Sequence, residues 1–390
     1  MAGTRIAGRH FLQIPGPTNV PDPILRAIDR PTIDHRGPAF QRLARRVLEG
    51  LKPIFATDGP VVIYPASGTG AWEAALVNTL SPGDRVLMVE TGHFAALWQD
   101  LARRLGLEVE LITGDWRSGV DAAAVESRLA LDRGHAIKAV GVVHTETSTA
   151  VTSDIPAVRR AIDDARHPAL FMVDTISSLA SMPYAHDAWG VDVTVAGSQK
   201  GLMLPPGLSF NAVSEKARKA HRAARCPRGY WDWTPMLEAN ERGFFPYTPS
   251  TNLLYGLDQA IDMLMAEGLE TVFARHARHA AATRAAVEAW GLEIFARNPA
   301  ERSASLTAVL MPENADADAV RATALERFNL SLGAGLARLA GKVFRIGHLG
   351  DLNDLTLIGT LAGCEMALSL TGPKPHASGT AAAMELLAGN

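Results

Sequence analysis

Between about residue 60 and residue 213, short apolar runs alternate with helical patterns, and nothing else in the chain restricts its fold as strongly. "RVLMVE" precedes "FAALWQDLARRLG", "EVELIT" precedes "DAAAVESRLALD", and "IKAVGVVH" precedes "IPAVRRAIDDARH"; "ALFMVD", "VDVTVAG" and "LSFNAV" follow. Runs that are apolar throughout suit strands covered on both faces, and helices between such strands make βαβ units around a mainly parallel sheet. The expected fold is α/β. From about residue 252 the pattern changes to long helical segments, then "LTAVLMP", "DAVRATALERFN", "KVFRIGHL" and a final helix, which reads as a smaller C-terminal α+β domain. With 390 residues, 47% of them hydrophobic, the chain has enough material for two cores. The first twenty residues contain "IPGPTNVP", too rich in proline for a helix or an inner strand, and are expected to run as an extended arm. The expected division is an arm over 1–20, a large domain over 21–255 and a small domain over 256–390.

The formal net charge of −3 is spread along the chain, so no basic footprint for nucleic acid or an anionic membrane is present. A small-molecule partner is expected instead. Two cysteines, Cys226 and Cys364, lack any CxxC or Cys/His ligand spacing, which argues against a disulfide framework and a structural zinc site. "MAGTRIAGRH" has no apolar segment, and "LTLIGTLAGCEMALSL" is short and carries Glu365, so neither a signal peptide nor a membrane span is read. The expected compartment is the cytoplasm.

In α/β sheets ligands bind at the carboxyl ends of strands, and three such ends carry chemistry. In "VVIYPASGTGAWEAALVNTL" an apolar run breaks into Ser67-Gly68-Thr69-Gly70 before a helical pattern. A helix N-terminus with glycine and hydroxyl side chains suits a phosphate, although the same turn also serves as a plain helix cap. It matches neither GxGxxG nor GxxxxGK[ST], so neither a dinucleotide nor a nucleoside triphosphate is indicated. The run "ALFMVD" ends in Asp174, a carboxylate that must be paired or must cap the next turn if buried. "VDVTVAGSQKGLMLPPGL" places Lys200 between a strand and a segment of glycines and prolines. Singly, Lys200 reads as a surface lysine in a loop. An amine, a buried carboxylate and a phosphate-binding turn at neighbouring strand ends together fit pyridoxal 5′-phosphate, whose aldehyde takes up the lysine, whose ring nitrogen takes the carboxylate and whose phosphate takes the helix N-terminus.

The residues also carry a resemblance. "PGPTNVP", "ASGTGAWEAALVNTLSPGD", "HTETSTAV", "VDTISSL", "WGVDVTVAGSQKGLMLPPGL", "PYTPSTNLLYGL", "FNLSLGAGL" and "GKVFRIGHLG" resemble the class V, fold-type I aminotransferases, and within them the serine-glyoxylate and alanine-glyoxylate enzymes. The resemblance spans nearly the whole chain and implies a seven-stranded, mainly parallel sheet in the large domain. It implies Lys200 as the Schiff-base lysine and Asp174 as partner of the pyridine nitrogen. Ser67, Gly68, Thr69 and Gln199 are then expected around the phosphate, Thr147 at the ring hydroxyl, Phe94 on one ring face and Ile176 on the other. It implies a homodimer, or a dimer of dimers, with shared active sites in which Tyr247 and Thr248 reach the neighbouring subunit's phosphate. Relatives can carry a tyrosine slightly upstream of this threonine, where this chain has Phe245.

Arg345 in "KVFRIGHLG" is expected to bind the substrate carboxylate, since an arginine within an apolar strand needs an anion and its fork matches a carboxylate; a structural salt bridge is the other reading. His348 reads as a packing or rim residue. The histidines of "ARHARHAAATR" read as a solvated helix face rather than a metal site. Trp231 and Trp233 in "WDWTP" are left between walling the site and packing at the dimer interface. The expected reaction is ping-pong transamination of glyoxylate to glycine, with L-serine as donor and hydroxypyruvate as product. Alanine-glyoxylate or aspartate-glyoxylate exchange is the nearest alternative, with Arg36 as the second cation that aspartate would need. A cysteine desulfurase or a non-catalytic cofactor-binding protein stands further off, since Cys364 lies after Arg345 in a helical pattern, Cys226 sits in "AARCPRGYW", and both Lys200 and Asp174 are present.

Overall fold

The computed structural model describes residues 7–389, so residues 1–6 of the expected arm and Asn390 of the small domain lie outside the described residues. Seven strands form the larger sheet in the order Val61–Tyr64, Ser209–Val213, Val193–Gly197, Leu170–Asp174, Ile137–Val143, Arg85–Glu90, Glu108–Thr113. The last five run parallel to one another, and Ser209–Val213 is antiparallel to both of its neighbours. Both faces are covered, as uniformly apolar strands require. Phe171 and Val173 point into a core shared with Phe40, Val47 and Leu51 of the helix Pro38–Phe55. Leu170 and Met172 point to the other side, into a core with Trp72 and Ala75 of the helix Gly68–Thr79.

A second sheet of five strands, in the order Phe11–Gln13, Leu330–Ala334, Val343–Gly347, Leu306–Leu310, Glu293–Ile294, makes the C-terminal α+β part. Its first strand comes from the proline-rich N-terminal segment, which pairs parallel to Leu330–Ala334 at the sheet edge. The edge is where a segment rich in proline can pair, because one side of its backbone needs no partner. The long helical stretch after residue 250 is two helices, Thr251–Glu267 and Leu269–Ala289, broken at Gly268 with φ +82°. The final helical pattern is likewise two helices, Asp354–Thr371 and Gly379–Ala388.

The histidines of "ARHARHAAATR" do not face solvent. His276 and His279 are 1% and 0% exposed. Spaced three apart, they share the packed face of their helix. His276 pairs through Nδ1 with the Val272 carbonyl at 2.7 Å and accepts the Gly350 N–H at 3.0 Å, while His279 Nε2 lies 2.9 Å from Asp354. His348 is fully buried beside the Thr307 hydroxyl. Among the described residues no helix is long and apolar enough to cross a membrane.

Candidate active site

Strand alternation aims Asp174. Lying two residues beyond Met172, it falls on the face covered by the helix Gly68–Thr79, and Trp72 of that helix donates its indole N–H to Asp174 Oδ2 at 2.8 Å. The Ile176 N–H donates to Oδ1 at 2.7 Å. Asp174 is 3% exposed, and burial pushes its carboxyl up to about 7 despite these two donors.

On the adjacent parallel strand, Val193–Gly197, the chain leaves the sheet into the loop that carries Lys200. The loop is tight: Ser198 Oγ donates to the Pro205 carbonyl at 2.8 Å, and the Met203 and Leu204 N–H groups return to the Lys200 and Ser198 carbonyls. Gly201 sits so close to residues 179–181 that a β-carbon would overlap the Leu179 carbonyl. Lys200 is 7% exposed, its Nζ donates to the Pro15 carbonyl, and its stem lies against Gly16, where φ is +92°. Burial, helped by the charge of Arg345, lowers the amine to about 7, against the opposing pull of Asp174 and Glu146. Such an amine is a usable base and nucleophile near neutral pH.

The helix Gly68–Thr79 starts at the same cleft. Its N-cap, Ser67, makes no side-chain cap bond, and the N–H groups of a first helical turn have no acceptor within their own helix. Gly68 is buried with Ile176 packed where a β-carbon would sit, whereas Ser67 and Thr69 are exposed. Gln199 Oε1 is buried without a hydrogen-bond partner among the described residues. Ser67, Gly68, Thr69, Phe94, Thr147, Asp174, Ile176, Gln199 and Lys200, nine of the residues expected from sequence, line one cleft of about 710 Å³ including its open mouth; Trp72, Thr145, Gly16 and Pro17 complete much of the wall.

Arg345, on the second sheet, does not line this cleft but abuts it through Thr147: it is 6% exposed, with Nε donating to the Ala334 carbonyl at 2.8 Å and Nη1 to the Thr147 carbonyl at 2.7 Å. Both contacts are to carbonyls, and no carboxylate of this chain lies in ion-pair distance of it among the described residues, so the salt-bridge reading of Arg345 does not hold. Burial brings its pKa down to about 10, so it remains a cation at neutral pH. Tyr247 and Thr248 are not in this cleft. They line a separate depression with Tyr64, Pro65 and Tyr230, where the Tyr247 hydroxyl donates to the Gly229 carbonyl at 3.0 Å and its ring stacks on Tyr230 at 4.5 Å. Trp233 is fully buried and donates to the Tyr64 hydroxyl at 2.6 Å; Trp231 meets Tyr64 edge-on. Three residues escaped the sequence reading: Trp72, Pro15 and Glu146. Glu146 carried a signal, as the only charge in "VVHTETSTAV".

The donor set fits pyridoxal 5′-phosphate. First-turn N–H groups and the Ser67 and Thr69 hydroxyls suit a dianionic phosphate, a buried carboxylate suits a protonated ring nitrogen, and a lowered amine suits an aldehyde.

Comparison with known proteins agrees with this chemistry. The profile of the family described as aminotransferase class-V matches residues 12–343. The chain is 50% identical to a serine-glyoxylate aminotransferase of Methylorubrum extorquens, covering 100% of this chain and 99% of that protein. It is 48% identical to an L-aspartate-glyoxylate aminotransferase of Paracoccus denitrificans, covering 95% and 94% respectively. Among solved structures, pyridoxamine-pyruvate aminotransferase from Mesorhizobium loti is 30% identical, covers 98% of each chain and superposes with a TM-score of 0.92.

Proposed function

The chain belongs to the class V aminotransferases, and from that premise we propose that it transfers the amino group of L-serine to glyoxylate, giving hydroxypyruvate and glycine by a ping-pong route. It is an aminotransferase of fold-type I, acting on small amino and 2-oxo acids, and its family implies pyridoxal 5′-phosphate as cofactor. The observation that carries the serine reading is the charge of the cleft. Among the described residues Lys200 is the only basic side chain lining it, and Arg345, outside the lining, meets its wall at the Thr147 carbonyl as the cation nearest to hand for an α-carboxylate. A donor with an uncharged side chain suits such a site, whereas aspartate asks for a second cation. The aspartate-glyoxylate reading is kept beside it because of the Paracoccus relative; Arg36, its expected cation, lines a different depression with His35, Phe244 and Phe245.

When bound, pyridoxal 5′-phosphate supplies an aldehyde that exchanges amines and a ring that takes up the electron pair left at Cα. Lys200, lowered to about 7 by burial, would take the Cα proton at Nζ and hold it there for return to the substrate-cofactor pair. Asp174 would accept from the ring N–H and keep that nitrogen charged. Arg345 holds the α-carboxylate of serine and then of glyoxylate in two parallel hydrogen bonds. Ser67, Gly68, Thr69 and Gln199 would anchor the phosphate, Thr147 would meet the ring hydroxyl, and Phe94 and Ile176 would hold the two ring faces.

We read the active unit as a homodimer with shared sites. Ser67 and Thr69 are left exposed in the single chain, and Thr248 is exposed while the Tyr247 hydroxyl is engaged, which supports Thr248 as the hydroxyl reaching the neighbouring subunit's phosphate. The division into an arm over 1–20, a large domain over 21–255 and a small domain over 256–390 is supported by the two separate sheets, with the arm's strand belonging to the second. A cytoplasmic location is supported by the two unpaired, buried cysteines.

The test is initial-rate kinetics with glyoxylate and each of serine, alanine and aspartate. Parallel double-reciprocal lines and the highest kcat/KM for serine are expected. A higher value for aspartate or alanine reassigns the donor, and no glycine from any of the three refutes the reading.

A further inference from the structure

Glu146 is a buried carboxylate that the mechanism above does not use. It is 0% exposed and forms no ion pair among the described residues. Both of its oxygens face backbone donors instead. Oε1 accepts from the Phe94 N–H at 3.3 Å, the Ser148 N–H at 3.0 Å and Ser148 Oγ at 2.7 Å; Oε2 accepts from the Ala95 N–H at 3.0 Å. Ser148 Oγ in turn accepts from the His93 N–H at 3.0 Å. The helix His93–Arg104 has Gly92 as its N-cap, which brings no side chain, so its first three N–H groups are capped from 51 or more positions away. A negative charge at a helix N-terminus is favoured by the dipole, and hydrogen bonds to an ionised acceptor are the strong kind. Gly92 permits the approach: a β-carbon there would overlap Glu146 Cγ.

We propose that Glu146 is a positioning residue for the transamination, pinning the start of the helix that presents the Phe94 ring to the cofactor face. The proposal rests on the functional reading above. The carboxylate is unsuited to direct chemistry, because both oxygens are occupied and Glu146 does not line the cleft. The residue between the two capping groups, Thr147, carries its carbonyl to Arg345 and its hydroxyl to Ser177. One tripeptide therefore ties the Phe94 helix, the expected ring-hydroxyl contact and the carboxylate anchor together. Glutamine at 146 keeps the shape but turns one oxygen into a donor that faces backbone donors.

The experiment is a double-mutant cycle read as the dissociation constant for pyridoxal 5′-phosphate, followed by quenching of tryptophan fluorescence, Trp72 lining the cleft. Phe94→Ala is expected to weaken binding about 10-fold through loss of ring stacking. Glu146→Gln should weaken it to a similar degree, and the double variant should be no weaker than Phe94→Ala alone. Ser148→Ala, which removes one link of the cap and leaves the chain otherwise intact, should move the constant in the same direction by less, and again not in the Phe94→Ala background. Losses that multiply in the double variants would overturn the proposal, as would variants whose apoprotein melts earlier while cofactor affinity stays at the wild-type value. Wild type that takes up no pyridoxal 5′-phosphate overturns the functional reading itself, which separates that failure from a failure of the Glu146 assignment.

Discussion

Arg345 and Thr147 sit on different sheets' territory, 198 positions apart in sequence, and the guanidinium Nη1 donates to the Thr147 carbonyl at 2.7 Å. With Nε committed to the Ala334 carbonyl, the fork is held rigid by backbone groups before any substrate arrives. Preset orientation is what an arginine offers over a lysine at a carboxylate site. Arg345→Lys should therefore lower kcat/KM roughly 10- to 100-fold for both the amino donor and glyoxylate, mostly through KM. Steady-state kinetics with each substrate varied in turn checks this; an unchanged KM for glyoxylate would remove Arg345 from the role.

Lys200 is held with its proton affinity lowered, so its ammonium opposes folding. Its pKa falls from the ordinary value of 10.5 to about 7 in the folded chain. The penalty is full below pH 7, where the folded state must bury the charge, and fades as pH rises from about 7 towards 10.5, where the unfolded chain still binds the proton. Lys200→Met should raise the melting temperature of the apoprotein at pH 6, with a gain that shrinks steadily up to pH 10, while transamination is abolished. Thermal melts of cofactor-free protein across that range decide it, and a gain independent of pH would contradict the assignment.

Trp72 supplies one of the two donors on the Asp174 carboxylate. Trp72→Phe keeps the ring near Trp98, on which it stacks at 5.9 Å, but leaves Asp174 Oδ2 buried without that bond. The expected cost is about 1–3 kcal/mol in apoprotein stability, measured by urea unfolding. Retention of wild-type stability would mean that the indole bond contributes nothing net.

Gly16 combines a φ of +92° with a position where a β-carbon would overlap the Lys200 stem. Gly16→Ala should displace the amine and lower kcat by on the order of 10²-fold, with little effect on glyoxylate KM. A variant with normal kcat would show that the arm does not position Lys200.

Both thiols are buried, and burial pushes Cys226 and, more strongly, Cys364 above the ordinary cysteine range. Neither is poised as a nucleophile. Ellman's reagent should label neither cysteine in the native protein and both after denaturation; rapid labelling of either in the native state would reopen the desulfurase reading.

Much of the site was legible because it depends on local rules. Asp174 and Lys200 follow apolar strands, and residues 67–70 follow another, so strand-end logic brought them to one cleft without knowledge of strand order. The order itself was not legible: the antiparallel Ser209–Val213 lies between Val61–Tyr64 and Val193–Gly197, a pairing set by packing rather than by any local signal. The Pro15 contact with Lys200 spans 185 positions and is made by a backbone carbonyl, which no side-chain pattern announces. His276 and His279 were misassigned to solvent because their charged neighbours Arg275 and Arg278 masked a packed face at the same spacing. Glu146 was overlooked beside Thr147 because a lone glutamate in an apolar and hydroxyl-rich stretch signals burial only once the helix it caps is seen.

The central claim is that Lys200 holds pyridoxal 5′-phosphate and that serine is the donor that displaces it. The most direct measurement is the visible absorption of the cofactor-loaded protein before and after separate addition of L-serine, L-alanine and L-aspartate. The account predicts a visible band in wild type that is absent in Lys200→Ala and is bleached fastest by serine. A wild-type protein that develops no such band with added cofactor, or one that serine leaves untouched while aspartate bleaches it, would contradict the account.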